Sequence, residues 1–363
     1  MPVKKKTSSN SPKAAKTTSK PKSAKQIKPK PGNEKPQKDS KVDTNKQVVT
    51  EESAKKLSKQ ELEAEKELKR VEKLASEEKI DIAFADSAHE QTTHIILNKD
   101  NKSIPEVADE SVHLAVTSPP YFNAREYSTW ATVDDYIEDM TKSFAEVFRV
   151  LKPGRKFCLN ISDLPEKGES GVRWIPLGPH LLLAALKAGF ELVDRVLWYK
   201  TPIKGFQYGS LPYPPSPLIC DSMEYVYILR KPNKGKVSYE HVSPLQKEAS
   251  RLKREIYAEY TKQIWTLRRV RLKGNEEGHI APFPYDIPER CVRLYSFVGE
   301  TVLDPFAGSG TTAQAAIRNR RNSVMVEQEK SYIKIMKNKL EGTREDDQLF
   351  SLRPFGDFEV KSQ

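Results

Sequence analysis

Cysteine and long apolar runs are both scarce in this chain. Its 363 residues include three cysteines, Cys158, Cys220 and Cys291, and no two of them form a Cys-x-x-Cys pair. This spacing indicates neither a zinc site nor a disulfide framework and is typical of an intracellular protein. No apolar run approaches the roughly eighteen residues of a membrane helix, and the N-terminus lacks the apolar core of a signal peptide. We therefore expect no metal site and no membrane association.

The first fifty residues have no arginine and few acids. Residues 1–50 contain 14 Lys and three acidic residues, whereas the whole chain carries a net charge of +11. The positive excess therefore lies in this segment, and the rest of the chain is balanced. Because the segment has almost nothing to bury, we expect it to be a disordered Lys-rich tail.

The composition of this tail leaves its role open. It suits non-specific, salt-dependent contact with nucleic-acid phosphates. Lys4, Lys5 and Lys6 are consistent with a nuclear localisation signal. The alternative is an extension that only keeps the protein soluble. The run KAAKTTSKPKSAKQ resembles linker-histone tails in composition. This favours a nuclear protein, with a bacterial or archaeal cytoplasm or nucleoid as the alternative.

Beyond a charged helix or linker at 51–79, short apolar runs alternate with helical patterns. Apolar residues recur at helical spacing between 133 and 151, and Lys-Pro-Gly at 152–154 stops that helix. Strands are expected at 80–84, 94–97, 112–116, 156–161, 192–199, 301–303 and 322–326, and further helices near 180–187, 288–294 and up to 340. This alternation favours an α/β fold with a mostly parallel sheet covered by helices on both faces.

The region 203–278 interrupts the alternation. Its first part, GFQYGSLPYPPSPL, is rich in Gly, Pro and aromatic residues, which predicts loops. Residues 230–273 then carry 13 basic and four acidic residues. Part of this stretch, 247–262, reads equally well as a solvated charged helix. Arginine beside aromatic residues suits contact with phosphates and bases, so the expected DNA-contacting residues are Arg268, Arg269, Arg271 and Lys273.

One apolar run ends abruptly in the sequence TSPPY. Residues 112–116 form a short apolar run that includes His113, and Thr117 and Ser118 lead directly into two prolines and Tyr121. Proline supplies no amide hydrogen to a sheet, so a buried strand must stop here. The end of this strand therefore carries a hydroxyl, two carbonyls and an aromatic ring. Together these groups can form a pocket for a small planar group. An ordinary buried turn is the alternative.

A second constellation is DPFAGSGTT at Asp304–Thr312. A strand, then Gly308-x-Gly310, then a helix brings backbone amides close to a nucleotide-like ligand. Glu327 ends the next expected strand, where an acidic side chain can bind the hydroxyls of a ribose. A phosphate-binding P-loop would need Lys where Thr311 stands, and a dinucleotide site would need Gly-x-Gly-x-x-Gly.

These two motifs together carry a resemblance to a known family. TSPPY resembles the catalytic motif of exocyclic-amino DNA methyltransferases of the cytosine-N4 kind, and DPFAGSGTT resembles their S-adenosylmethionine motif. LWYKTP (Leu197–Pro202) is similar to the family's motif beside the catalytic pocket. The order, catalytic motif first, resembles the circularly permuted beta group.

The resemblance implies a Rossmann-like methyltransferase fold and a division of the chain. A catalytic half would span 80–202, a target-recognition insert 203–278, an S-adenosylmethionine-binding half 279–343, and a C-terminal tail 344–363. The implied catalytic residues are Ser118, Pro119, Pro120 and Tyr121. The implied cofactor-binding residues are Asp304, Pro305, Phe306, Gly308, Ser309, Gly310, Thr311, Thr312, Glu327 and Phe283.

The implied activity is methylation of cytosine N4 in double-stranded DNA, after the target base has left the helix. Ser118 favours this target because the adenine-N6 relatives usually have Asp at that position. Adenine-N6 methylation, RNA methylation and a non-catalytic DNA- or chromatin-binding role remain alternatives. Methylation of cytosine C5 is rejected, because it needs a thiolate, commonly after proline, and none of the cysteines follows a proline.

Overall fold

The computed structural model describes residues 92–123, 129–168, 171–201, 219, 221–235, 239–270, 283–346 and 358–362, together with Lys66 and Lys69. Lys66 and Lys69 are helical and exposed, at positions within the charged helix expected over 51–79. The Lys-rich tail 1–50, the expected strand 80–84 and the Gly-Pro-aromatic loop 205–218 lie outside the described residues.

The described residues form eleven strands and seven helices. The strands are β1 (His94–Asn98), β2 (Val112–Thr117), β3 (Leu151–Ile161), β4 (Leu164–Gly168), β5 (Gly171–Ile175), β6 (Glu191–Thr201), β7 (Met223–Arg230), β8 (Ile264–Arg268), β9 (Thr301–Asp304), β10 (Asn322–Val326) and β11 (Phe358–Ser362). The helices are α1 (Val133–Val150), α2 (Leu177–Lys187), α3 (Pro244–Ala249), α4 (Arg254–Tyr260), α5 (Asp286–Tyr295), α6 (Thr311–Arg318) and α7 (Lys330–Asp346). None of these helices is long and apolar enough to cross a lipid bilayer.

Nine strands form one sheet in the order β11-β1-β10-β9-β2-β3-β7-β6-β8, and β4 and β5 form a separate hairpin. Strand β7 is antiparallel to both of its neighbours, β3 and β6, and the other pairings in the large sheet are parallel. The carboxyl ends of the parallel strands and the amino end of β7 therefore meet at one edge. In open α/β sheets this edge is where ligands bind.

Helices cover both faces of the sheet, as the alternating pattern predicts. Side chains of α1 and α2 share one buried cluster with Ala115, Phe157 and Leu159 of the sheet. Side chains of α5 and α6 share another with Val116 and Cys158. Because successive strand residues point to opposite faces, these assignments place α1 and α2 on one side and α5 and α6 on the other. The expectation of a mostly parallel sheet between helical layers is confirmed.

Helix α1 begins and ends where its sequence predicts. The Thr132 side chain accepts from the Asp135 amide and the Asp135 carboxylate accepts from the Thr132 amide, which is a capping box. The helix ends at Val150, and β3 starts at once with Leu151 rather than at residue 156. The Lys-Pro-Gly stop therefore lies within the strand, where Gly154 has a φ of 81° and the pairing of β2 with β3 shifts register. A bulge accommodates this glycine and the preceding proline.

Two regions contribute more to the sheet than their sequence suggests. Strands β7 and β8 lie within 203–278, so the sheet extends into the expected target-recognition insert. The run MEYVYILR has the β-branched and aromatic residues of a strand. It lies between a Pro-rich segment and a basic segment, so the sequence does not show that it continues the alternation of strands and helices. The expected C-terminal tail 344–363 contains the end of α7 and strand β11, which pairs in parallel with β1. A five-residue strand depends on its partner and is hard to distinguish by composition.

Candidate active site

A cavity of about 590 Å³ opens at the carboxyl edge of the sheet. This volume is within the usual range for small-molecule sites. The cavity is lined by both sequence motifs: Ser118, Pro119, Pro120 and Tyr121 after β2, and Pro305, Phe306, Ala307, Gly308, Ser309 and Thr311 after β9. The motifs are 187 residues apart at the Thr117–Asp304 contact, and the pairing of β2 with β9 brings them together.

The first motif is anchored at its tyrosine. The Ser162 amide donates to the Tyr121 hydroxyl at 3.0 Å, and that hydroxyl donates to the Glu224 carboxylate at 3.1 Å. Burial, and secondarily the Glu224 charge, raises the pKa of Tyr121 well above its usual range, so the hydroxyl stays a donor. The Tyr136 hydroxyl donates to the Pro120 carbonyl at 3.0 Å. The motif is thus held by α1, β7 and the end of β3.

Asp304 joins the two motifs but does not line the cavity. Its carboxylate accepts from the hydroxyls of Thr117 and Thr312, each at 2.6 Å, and from the Phe306 amide at 3.0 Å. The side chain is 1% exposed, and burial raises its pKa to about 6 although all three hydrogen bonds act in the opposite direction. Among the expected cofactor residues, Asp304, Gly310 and Thr312 lie behind the cavity wall and organise it.

The glycine turn is formed by local backbone requirements. Gly308 and Gly310 have φ values of 50° and 79°, in the left-handed region that disfavours other residues. A Cβ on Gly310 would also lie 2.4 Å from Cγ of Met336 in α7. The turn therefore needs glycine both for its conformation and for its packing, and it leads into α6, whose first residue, Thr311, lines the cavity.

Glu327 follows β10 and lines the cavity beside this turn. Its carboxylate accepts from the Gly308 amide at 2.8 Å and from the Glu329 amide at 2.9 Å. Burial raises the pKa of this carboxyl, and the two backbone hydrogen bonds act in the opposite direction. An acidic group held in this way suits hydrogen bonding to the hydroxyls of a ribose.

A loop that sequence reasoning missed also lines the cavity. Residues 99–102 follow β1 at the same edge. The Asn101 amide nitrogen donates to the Pro305 carbonyl at 2.7 Å, and its oxygen accepts from the Ser143 hydroxyl at 2.6 Å. Asn101 thereby ties α1 to the second motif. The only hint to this loop in the sequence was its position after an expected strand. Because β1 is parallel to β10, the loop after β1 must lie at the same edge of the sheet as Glu327, which follows β10.

Three polar residues form a second group in the cavity wall, and two of them, Asn160 and Glu224, were not expected from the sequence. Asn160, Lys200 and Glu224 come from the neighbouring strands β3, β6 and β7. The Asn160 amide nitrogen and the Lys200 ammonium lie 3.2 Å and 3.5 Å from Glu224 oxygens. Lys200 belongs to LWYKTP, which the resemblance puts beside the pocket. On each strand, the neighbouring residue of the same face is apolar and buried: Cys158, Trp198 and Val226. A polar residue next to such a buried position on the same face was the available sequence signal.

The expected DNA-contacting cluster is only partly described. Arg268 is exposed at the end of β8, and Arg269 lines the cavity and donates to the Asp221 carbonyl at 3.3 Å. Arg271 and Lys273 lie outside the described residues. Phe283, expected against the cofactor, lines the cavity as well.

His113, His241 and Glu300 group together near the opposite edge of the sheet. Arg155 forms a buried ion pair with Glu300, and the Lys152 ammonium lies 2.9 Å from the His113 ring. Burial is the main reason that the pKa of His113 falls to about 4. Because two cations already contact this group, we assign it no metal.

The donor set of the cavity fits S-adenosylmethionine. Phe283 and Phe306 offer aromatic surface, Glu327 offers a fixed carboxylate, and the glycine turn presents backbone amides. These groups match a ligand with a nucleoside at one end and an amino acid at the other.

Comparison with known proteins identifies the family. The model of the N6/N4 DNA methylase family matches residues 112–338. The chain belongs to this family. Its sequence is 32% identical to the Type II methyltransferase M.MjaI of Methanocaldococcus jannaschii over 285 residues, which cover 69% of this chain and 91% of that one.

Solved structures agree with this assignment. The Thermus thermophilus protein TTHA0409, assigned as a DNA modification methylase and solved with S-adenosyl-L-methionine, is 30% identical with a TM-score of 0.58. That match covers 74% of this chain and 98% of TTHA0409. The cytosine-N4-specific PvuII DNA methyltransferase matches at TM-score 0.52 and 17% identity over 75% of this chain and 96% of its own, which supports the fold alone.

The DNA methylase therefore uses S-adenosylmethionine as its cofactor and has the methyltransferase fold that the motifs predict. The family covers methylation of both adenine N6 and cytosine N4. The nuclear location expected from the tail finds no support among the relatives named here, which are bacterial and archaeal.

Proposed function

We propose that this methylase transfers a methyl group to the N4 amine of cytosine in double-stranded DNA. The observation that carries the proposal is Ser118, with Pro119, Pro120 and Tyr121, in the wall of the cavity that Glu327 and the glycine turn also line. The target amine and the methyl donor would meet in this cavity. Positioning and electrostatics would then provide the rate.

The cofactor side of the cavity belongs to the second motif. Glu327 would bind the ribose hydroxyls, the amides of Ser309 and Thr311 the amino-acid end, and Phe283 or Phe306 the adenine ring. When bound, S-adenosylmethionine supplies a methyl group that leaves its sulfur without the bonding electron pair, so the acceptor nitrogen must provide a lone pair. Asp304 serves this side indirectly, by holding Thr117, Thr312 and the Phe306 amide together.

The target side belongs to the first motif. The lone pair of an exocyclic amine is delocalised into the base ring, so the nitrogen is a poor nucleophile. Hydrogen bonds from its protons to the Ser118 hydroxyl and the Pro119 carbonyl would draw the nitrogen toward tetrahedral geometry and free that pair. Tyr121, anchored by Ser162 and Glu224, would stack on the base and offset part of the few kcal/mol lost on unstacking. The methylated nitrogen finally releases one proton to water.

Cytosine is favoured over adenine by Ser118 alone. The resemblance of TSPPY to cytosine-N4 enzymes supports this choice, and adenine N6 is the competing target. Arg269 in the cavity wall and the exposed Arg268 beside it in sequence would contact the flanking DNA, together with Arg271 and Lys273. We infer a bacterial or archaeal genome as the substrate, since the relatives support that host.

The test is mass spectrometry of nucleosides from unmethylated genomic DNA incubated with the protein and S-adenosylmethionine. We expect N4-methylcytosine from the wild type and at least about a hundredfold less from Ser118→Ala, the loss typical of removing one preorganised catalytic hydrogen bond. Ser111→Ala is the matched control, because Ser111 lies before β2 and outside the cavity.

The products separate the alternatives. N6-methyladenine in place of N4-methylcytosine would reject the cytosine assignment. Methylation of RNA in preference to DNA of equal length would reject the duplex-DNA substrate. An unchanged yield from Ser118→Ala would remove the serine from the mechanism.

A further inference from the structure

Asn160 has a buried acceptor that the fold leaves unused. The side chain is 2% exposed and lines the active-site cavity. Within the described residues, its amide oxygen has no hydrogen-bond partner. Leaving a buried polar atom unpaired costs about 1–3 kcal/mol, and such an atom in a ligand cavity indicates a donor on the ligand.

The orientation of the Asn160 amide is determined by its surroundings. Its nitrogen donates to the Glu224 carboxylate at 3.2 Å and to the Tyr225 carbonyl at 3.0 Å. Both neighbours are acceptors, so exchanging nitrogen and oxygen would lose both hydrogen bonds. The oxygen is therefore the free end.

The sheet register brings Asn160 beside the catalytic serine. The pairing of β2 with β3 ends at Thr117 and Leu159. Ser118 and Asn160 are the residues that follow this last pair, and both line the cavity. Adjacent strands lie about 4.8 Å apart. Thr117 lines up with Leu159 in the α1–α2 layer, and the alternation turns Asn160 to the opposite face, where Cys158 packs.

We propose that Asn160 is a further catalytic residue, whose amide oxygen accepts a hydrogen bond from the exocyclic amine of the target base. This inference rests on the proposed function. The Ser118 hydroxyl, a weaker acceptor than a carboxylate, takes one of the two amine protons. The Asn160 amide oxygen shares the other proton with the Pro119 carbonyl in a three-centre hydrogen bond, so that side-chain acceptors hold both protons of the amine while its lone pair is freed.

Glu224 and Lys200 are the positioning residues of this arrangement. The Glu224 carboxylate accepts from both Asn160 and Tyr121, and it therefore orients an acceptor and a stacking ring together. Lys200 is held by Asp221 at 2.6 Å and lies 3.5 Å from Glu224. Burial raises the pKa of Glu224, while the Lys200 charge acts in the opposite direction.

The experiment compares Asn160→Ala with an exchanged pair, Asn160→Asp combined with Glu224→Gln. The exchange keeps one amide and one carboxylate in contact and retains an oxygen facing the amine, while it gives up the hydrogen bond to the Tyr225 carbonyl. Asn319→Ala is the matched control, because Asn319 is also buried but does not line the cavity. Single-turnover methylation of genomic DNA, calorimetric S-adenosylmethionine affinity and thermal stability are measured for each protein.

We expect Asn160→Ala to methylate at least about tenfold more slowly, with cofactor affinity within twofold of wild type. The exchanged pair should recover most of the rate, and its rate should fall at low pH as the introduced carboxylate is protonated, without a parallel fall in thermal stability. Asn319→Ala should methylate at the wild-type rate per folded molecule.

The proposal is overturned if Asn160→Ala keeps the wild-type rate, if it loses cofactor affinity in proportion, or if the exchanged pair is equally slow. If Asn160→Ala does not fold, the exchanged pair decides alone: recovery with the new pH dependence supports the role, and a tenfold loss rejects it. Wild-type yield of methylated base tests the proposed function separately. N6-methyladenine would reject cytosine but keep Asn160 as an amine acceptor, and no methylated base would reject both.

Discussion

At the scale of single residues, buried carboxyl groups organise the cavity wall, and one of them, Asp304, connects its two motifs. Asp304 receives hydrogen bonds from the ends of β2 and α6, and Glu327 receives them from the glycine turn. Asp304 is almost fully buried, and none of the three groups that donate hydrogen bonds to it is a cation. Desolvation outweighs its three hydrogen bonds, which is why its pKa rises to about 6.

This raised pKa predicts a specific dependence of stability on pH. Between pH 3.8, the ordinary value, and about 6, the folded protein holds a proton on Asp304 that the unfolded chain has released. The contribution of this group to the free energy of unfolding therefore falls as pH rises through that window, by up to about 3 kcal/mol. Asp304→Asn lacks this titration, so its stability relative to wild type should increase between pH 4 and pH 7.

Urea unfolding followed by circular dichroism at both pH values measures the difference. A stability difference between Asp304→Asn and wild type that is the same at pH 4 and pH 7 would contradict the raised pKa. The comparison between the two proteins removes the contribution of the other titrating groups.

At the scale of elements, the glycine turn is the segment most constrained by its neighbours. Gly310 precedes α6 with a φ of 79°, and Met336 of α7 occupies the space that a side chain would need. An alanine must therefore adopt a disfavoured conformation and displace a buried methionine. The turn, α6 and α7 behave as one packed unit.

We expect Gly310→Ala to lower the free energy of unfolding by about 2–4 kcal/mol, the sum of left-handed strain and overpacking. Thermal or urea unfolding measures the loss. Gly235→Ala is the matched control, because nothing lies within 4 Å of a Cβ there, and it should change stability little. Adding Met336→Ala to Gly310→Ala should remove part of the overpacking, and equal losses at Gly310 and Gly235 would refute this account.

At the scale of the whole molecule, the charge is divided between the Lys-rich tail and a balanced remainder. A tail with 14 Lys would attract DNA independently of its sequence. The cavity would carry the chemical step, and the arginines near it would contact the DNA next to the target base. This division predicts that the affinity for DNA and the rate of methylation can be changed independently of each other.

Deletion of residues 1–50 should weaken DNA binding at low salt by at least about tenfold and reduce the slope of log affinity against log salt. The methylation rate at saturating DNA should stay unchanged. Fluorescence anisotropy over a salt series, with a shuffled tail of identical composition as control, tests this expectation. An unchanged salt slope after deletion, or loss of affinity in the shuffled tail, would argue against an electrostatic role.

The local elements of the fold were predictable because their signals are local. The strand ending at TSPPY, the capped helix over 133–150 and the strand at 322–326 each follow from apolar spacing and stop residues. Strands β7 and β11 were not predicted, since short strands in a basic or polar context depend on pairing partners. The cofactor motif was visible, but the burial of Asp304 behind the wall was not.

By itself, the sequence determined the chemistry that the chain carries: the TSPPY and DPFAGSGTT motifs, their order, and the separate basic tail. Only the tertiary structure decided which polar residues line the same cavity. Ser118 and Asn160 are 42 residues apart, and Glu224 follows much later, so no local spacing relates them. Strand register brings them to one sheet edge, and burial there makes an unpaired amide oxygen costly unless a substrate donates to it.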